Sequence, residues 1–572
     1  PTASNFFGQV LYGVQDGAAW FELTDNLTAV SGNDYRRSRK HPALLCSSLQ
    51  ANFTPSTFAR SYTSITTGTQ PTLLISTLDF ASNWTAGYGT CPNPSPFTIT
   101  ASDPFNKWLG TTSTNWFDCT NWADRSVPNE NVNVLVDATA SRDAVIDYTA
   151  TYSDVYLDLA QAKNLTINGR KVVAAGNSAN KLEVYGNLLL GASGELDMND
   201  GVAGTADGQL YLFGNWTNNG TETNFEQGES TVHFLGSSPQ LINTIPPFGT
   251  EVFYNLFMNN DFSSSVSNNL LVQGDLTISL GKTMIVDVND YIQVNNKLEV
   301  NGALVLENNA QLIQVNETDS NIGTNVTVKR VANINRTDYV YWSSPVDGYS
   351  VGSILGSLRY YWSPSGLNAN ATQGNWIAAS GTMNRGQGYI VRAPSSYPVR
   401  PASPQTLPVS FSGKPFNGEF TVPISRGTFP LSINDNFNLV GNPYPSAIDA
   451  DLFLAENLGN IEGYIDIWTH GFGLSTSNPD PFYQNFLSNY SATDNYLTYN
   501  GTATTIPAVF NGKIASGQGF FVQMQETGLA NQAVTFKNEM RSDVINGYFY
   551  NNNEFFRSST TTAGVEKHRI WL

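Results

Sequence analysis

The feature that most restricts how this chain can fold is a recurring alternation of apolar and polar residues around a central glycine. Leu182-x-Val184-x-Gly186-x-Leu188-x-Leu190 is followed by Leu210-x-Leu212-x-Gly214-x-Trp216. Leu270-x-Val272-x-Gly274-x-Leu276-x-Ile278 and Leu298-x-Val300-x-Gly302-x-Leu304-x-Leu306 come later, and a weaker copy starts at Leu165. A period of two is that of a β-strand with one buried face, and a glycine inside it permits a bend or a close approach of stacked backbones. Each copy can bury its apolar row only against a neighbour like itself. The unequal spacing therefore predicts coils of a parallel β-solenoid with insertions, because a propeller would repeat more steadily, at about 40–45 residues.

A second repetition downstream is a duplication of a larger unit, visible in the order of its motifs. The first copy runs Tyr341-Trp342-Ser343-Ser344-Pro345, Tyr360-Tyr361-Trp362, Gly386-Gln387-Gly388-Tyr389-Ile390-Val391 and Val409-Ser410-Phe411. The second runs Leu439-Val440-Gly441-Asn442-Pro443, Ile465-Asp466-Ile467-Trp468, Gly517-Gln518-Gly519-Phe520-Phe521-Val522 and Val534-Thr535-Phe536. Strands that form a shared core keep their order while the loops between them vary in length.

The chain is thus expected to be all-β and multidomain, since 572 residues exceed what one hydrophobic core normally holds. The expected organisation is an N-terminal β-sandwich-like domain over 1–105, a Trp-rich cap and central parallel β-solenoid over 106–335, and duplicated β-sandwich-like units over 336–430 and 431–550. A linker and the start of a further domain are expected over 551–572, so that the intact protein continues beyond it. No charged and apolar signal segment opens the chain, and Pro1 reads as a mature end.

Only 13 % of residues are charged, so solubility rests on neutral polar side chains, a balance common outside cells. The formal charge of −18 disfavours nucleic acid as a partner. The basic run Arg36, Arg37, Arg39 and Lys40 reads as a solvated loop. No apolar stretch approaches the about 18 residues of a membrane-spanning helix. Three cysteines, Cys46, Cys91 and Cys119, are too few and scattered for a metal cage. One disulfide fits, with Cys46 to Cys91 preferred and the other two pairings open.

Trp108-Leu109-Gly110-Thr111-Thr112-Ser113-x-x-Trp116, followed by Asn121-Trp122 and Val127-Pro128, resembles a motif of large surface proteins carried by the type IX secretion system of gliding bacteria. Tyr341-Trp342-Ser343-Ser344-Pro345, Gly386-Gln387-Gly388-Tyr389-Ile390 and Gly441-Asn442-Pro443-Tyr444-Pro445-Ser446 resemble the same group. The resemblance implies passage through outer-membrane secretion machinery, a place at the cell surface or in the medium, and an adhesin or matrix role. On physical grounds the Trp residues of the first segment are expected to cap the open end of the solenoid.

Candidate chemistry is sparse. Gly348-Tyr349-Ser350-Val351-Gly352 fits a serine hydrolase elbow, but the strand-turn-helix context is missing and the chain holds only four histidines. Asp197, Asn199, Asp200 and Asp207 cluster oxygen ligands of the kind Ca²⁺ takes, though Asp-Gly and Asn-Asp are also ordinary turn residues. No cofactor is expected, with calcium at this cluster as the alternative. Tyr360, Tyr361, Trp362 and Trp468 could stack on sugar rings or serve as core. The leading expectation is a non-enzymatic structural and adhesive protein that binds an extracellular glycan or matrix. Its rivals are a polysaccharide lyase or glycosidase built on the solenoid, and a self-associating fibre subunit. A solenoid groove with three or more carboxylates and a basic residue would favour the enzyme, and open strand edges would favour the fibre.

Overall fold

The computed structural model describes residues 105–552 save for short internal stretches, the longest being 149–159 and 478–488, together with the strand backbones 14–15, 19–20, 58–66 and 72–80. The rest of the expected N-terminal sandwich, the basic run, Cys46, Cys91 and the expected linker and further-domain start from 553 onward lie outside the described residues. The protein is 46 % strand and 5 % helix, with a central parallel β-solenoid of about seven turns, which makes it all-β. It divides into two compact units, Pro1–Gly274 and Asp275–Leu572.

In the first unit each coil visits three parallel sheets in turn. Lys181–Val184, Leu188–Leu190 and Glu195–Asp197 form one such coil. Leu182 lies in register with Ala160 below it and Leu210 above, and Leu210 with Val232. Leu188 is likewise in register with Leu165 and Trp216. All of these side chains are fully buried, so the apolar rows of the repeats make a continuous lumen core.

The glycine of each repeat sits at a corner between two sheets, and the corners pile up. A Cβ on Gly214 would lie 2.4 Å from the carbonyl carbon of Gly186 in the coil below. Asparagines at the corners, two of them directly after Gly186 and Gly214, tie the coils together. Asn164 Oδ1 accepts from the Asn187 amide (2.7 Å), Asn187 Oδ1 from Asn215 (2.9 Å) and Asn215 Oδ1 from Leu241 (2.9 Å). This asparagine ladder satisfies amides that the bend removes from the sheets.

Below the first coils, Trp108, Trp116 and Trp122 are fully buried and pack edge to face, with ring centroids 4.9 and 4.7 Å apart. Trp108 Nε1 donates to Arg142 O and Trp122 Nε1 to Trp116 O. Asn121 Oδ1 accepts from the amides of Thr112 and Ser113. The motif is therefore a self-bonded tryptophan cluster, with Trp116 joined to the coil through its amide and Val145 O.

In the second unit, further coils pair in the same parallel way, as Leu276 with Leu298, Met284 with Leu304 and Ile292 with Leu312. Val326–Ile334 then changes the architecture. It runs parallel to Ala303–Leu306 along one edge and antiparallel to Gln405–Gly413 along the other. The first duplicated unit thus takes its opening strand from ahead of residue 336, because that strand is also the last rung of the coil.

The two duplicated units share one topology. In the first, Tyr339–Trp342, Tyr389–Arg392, Arg359–Leu367 and Gln373–Ala378 neighbour one another in that order. In the second, Phe437–Gly441, Gly519–Met524, Ile461–Trp468 and Tyr496–Tyr499 repeat it. A separate pair, Phe420–Ser425 with Asn531–Phe536, matches Val326–Ile334 with Gln405–Gly413. Between its first two shared strands the second copy carries a short helix, Ala450–Asn457, capped by Asp449.

Reciprocal contacts lock the copies together. Trp342 bridges Gln518 and, at the equivalent place, Val440 bridges Gln387. The Ser343 amide donates to Gly517 O (2.8 Å) and the Gly441 amide to Gly386 O (2.9 Å). Gly386 and Gly517 both hold left-handed backbone, at φ 70° and 74°, which accounts for the first glycine of each Gly-Gln-Gly. The Asn-Pro-Tyr-Pro-Ser segment and the residue after it fasten the second copy to the coils: the Leu312 amide donates to Pro445 O, and the Ala447 amide donates to Gln311 Oε1.

Candidate functional site

The facing sheets of the two copies meet through an aromatic layer. Its fully packed part is Tyr341, Trp362 and Ile390 from the first copy and Leu439, Trp468 and Phe521 from the second. These are three equivalent pairs under the duplication, which is the arrangement an isologous contact produces. Tyr341 stacks on Trp468, with planes 4° apart and centroids at 5.6 Å, and Trp362 meets Trp376 edge-on at 5.0 Å. The Tyr341 and Tyr496 hydroxyls bond to each other at 2.5 Å, and burial pushes the Tyr341 hydroxyl well above the usual phenol range.

The layer has a half-buried margin of Tyr339, Tyr360, Trp376, Phe437, Tyr490 and Tyr496. Three of the four aromatic residues singled out in the sequence, Tyr360, Trp362 and Trp468, are brought together here. Their roles differ. Trp362 and Trp468 are each only 7 % exposed and form the floor, so neither offers the open indole face that sugar stacking needs. Tyr360 stands at the margin, while Tyr361 is half-buried, with a side chain that alternation sends to the other face of its strand.

Sequence reasoning missed Arg392. The residue lies directly opposite Tyr339 across the antiparallel pair, with its guanidinium carbon 5.8 Å from the ring centroid. Tyr360 pairs with Ile390, two residues away on the same strand. Burial pushes the Tyr339 hydroxyl up to about 12, against the pull of the Arg392 charge. A lone arginine in an aromatic-rich strand carries no spacing signal, and only the register places it in this margin.

The other candidates serve local structure. Asp207 is buried, and its oxygens accept from the amides of Asp200 (3.1 Å) and Glu229 (2.5 Å). Burial, with the nearby Asp200 charge, raises its carboxyl above the ordinary value. Asp197 accepts from the Asn199 amide and pairs with Lys171, Asn199 accepts from Gly201, and Asp200 from Val202. Among the described residues no group of three or more His, Cys, Asp or Glu side chains is placed to hold a metal ion. The four polar residues brace a turn through amide donors.

Ser350 Oγ donates to Gly381 O and accepts from the Gly352 amide, as the cap of a short 3₁₀ turn. On the solenoid, Glu195 and Asp197 are both ion-paired to Lys171. A wider outward face carries Glu183, Tyr211, His233 and Phe257 in one register column. Tyr211 and His233 stack there with planes 2° apart, as Tyr185 and Phe213 do beside them. No helix is long and apolar enough to cross a membrane among the described residues.

No curated protein and no solved structure matches this chain. Residues 243–572, more than half of its length, match the model of a family described as a domain of unknown function (DUF8693), and the chain belongs to that family.

Proposed function

We propose that this protein is a structural and adhesive component of the bacterial cell surface or its surroundings, exported by a type IX-like route, which holds extracellular glycan without cleaving it. The solenoid coils act as a spacer, and the aromatic margin between the duplicated sheets supplies the binding surface. The observation that carries this reading is the paired aromatic layer, whose packed floor holds Tyr339, Tyr360, Trp376 and Tyr490 half-buried at its edge. Aromatic rings offer apolar planes that match the apolar faces of sugars, and their polar tips reach hydroxyl groups. The resemblance of the tryptophan motif and the Gly-Gln-Gly and Asn-Pro-Tyr-Pro-Ser segments to type IX-secreted surface proteins supports the location.

The test is a glycan array probed with the whole chain and with Tyr360→Ala. Retention of at least one polysaccharide class is expected, weakened by roughly three- to ten-fold in the variant. If the chain retains no glycan at millimolar concentration, the adhesive reading is wrong.

A further inference from the structure

We propose that Arg392, with Tyr339, Tyr360 and Tyr490 around it, recognises a carboxylate on an acidic glycan, one built from uronic acid units. The inference rests on the glycan-binding reading and names the substrate class for the same margin.

Apart from its place over the Tyr339 ring, Arg392 has no internal partner among the described residues. Among the described residues its guanidinium forms no ion pair and no hydrogen bond, and its Nε is shielded from solvent with no acceptor. Arg400, Arg359 and Arg426 show the contrast: Arg400 forks onto both oxygens of Asp338 (3.2 and 2.9 Å), and Arg359 and Arg426 each donate to several carbonyls. Acidic residues outnumber basic ones by 47 to 29, so a carboxylate partner within the chain is not in short supply. A buried donor left unpaired costs about 1–3 kcal/mol, a cost that an incoming acceptor removes.

The duplication supplies an internal control. Gln523 pairs with Phe437 in the second copy as Arg392 pairs with Tyr339 in the first. Its amide is engaged on both sides, donating to Asn436 Oδ1 (3.2 Å) and accepting from the Tyr464 hydroxyl. The same place in the fold is therefore closed in one copy and open in the other.

The chemistry of the opening suits a sugar acid. A guanidinium presents a planar fork that matches a carboxylate bidentately. The Tyr339 and Tyr360 hydroxyls form no hydrogen bond among the described residues and can serve sugar hydroxyls. The nearby Asp338 carboxylate is already held by Arg400 and by the Asn335 amide, so it does not compete for Arg392. The net charge of −18 opposes a polyanion at long range, but at physiological ionic strength charges beyond about 8 Å are largely screened.

The whole chain is tested for affinity to polygalacturonate and to its fully methyl-esterified form, which keeps the sugar backbone and removes the charge. The acid is expected to bind at least about ten-fold more tightly, and Arg392→Gln to abolish that preference without lowering the melting temperature. Glutamine is chosen because the second copy already accommodates it. Arg392→Lys should restore only part of the preference, since it keeps the charge and loses the fork. Equal binding of acid and ester, or an acid preference that survives in Arg392→Gln, would overturn the assignment and leave the glycan reading standing. Binding of neither polymer, with a neutral glycan retained elsewhere on an array, would also overturn it. Capture of carboxylate-ended peptides in place of the acid would reassign the site to protein ligands and overturn it too.

Discussion

Glu251 carries the sharpest consequence for a single side chain. It is 1 % exposed inside the solenoid lumen, beside Trp216 and Asn218, and its donors are neutral: Trp216 Nε1 at 3.0 Å and Asn218 Nδ2 at 3.4 Å. Burial pushes its carboxyl from 4.5 up to about 7, against the pull of those hydrogen bonds. An acid whose folded value is raised gives stability that is complete below about pH 4.5 and is lost as pH rises through about 7. Relative to Glu251→Gln, the parent chain should lose about 3 kcal/mol between pH 4.5 and pH 8 in urea unfolding. Parallel pH curves for the two chains would contradict this. Comparing slopes keeps the test independent of what a buried amide itself costs. At this scale the sequence was only partly legible. Alternation marked Leu182, Leu210 and Leu298 as core, but Glu251 lies on a strand without a clear repeat, and nothing local announces that it faces the lumen. Arg392 escaped for the same reason, since only cross-strand register sets it against Tyr339.

Among elements, the corner glycines decide whether coils can stack. Ala at Gly214 would drive its methyl into the backbone of Gly186, which cannot give way as a side-chain tip can. Gly214→Ala should cost about 2–3 kcal/mol, whereas Gly249→Ala, whose nearest neighbour is Asn269 Nδ2 at 3.9 Å, should stay within about 0.5 kcal/mol. Chemical denaturation of the two variants checks the contrast, and equal losses would contradict it. The repeat itself was readable because a period of two is imposed by strand geometry wherever one face is buried. The corner was not, since the pattern runs on unbroken from Leu182 to Leu190 while the chain passes from one sheet to the next. The asparagine following Gly186 and Gly214 was the available signal. The strands Gln405–Gly413 and Phe420–Ser425 add a related point, because Pro408 and Pro423 lack the amide that a neighbouring strand would need. Proline on such strands is a common guard against edge-to-edge pairing, which weakens the case for a fibre built through them.

For the whole molecule, the duplication could be read from motif order because strands hold their sequence while loops change. Its opening boundary could not, since Val326–Ile334 belongs to the coil and to the first copy at once, and sequence motifs cannot show a shared strand. The aromatic positions singled out in the sequence also divided in a way composition does not encode: equivalent residues Trp362 and Trp468 became floor, while Tyr360 stayed at the margin. On the proposed function the chain holds its ligand and does not react with it. Its most direct test is to incubate the whole chain with a retained polysaccharide and to measure bound polymer and newly formed reducing ends in the same sample. The account predicts stable retention with no increase in reducing ends and no ultraviolet-absorbing unsaturated product. Steady polymer shortening that requires the folded chain would contradict it.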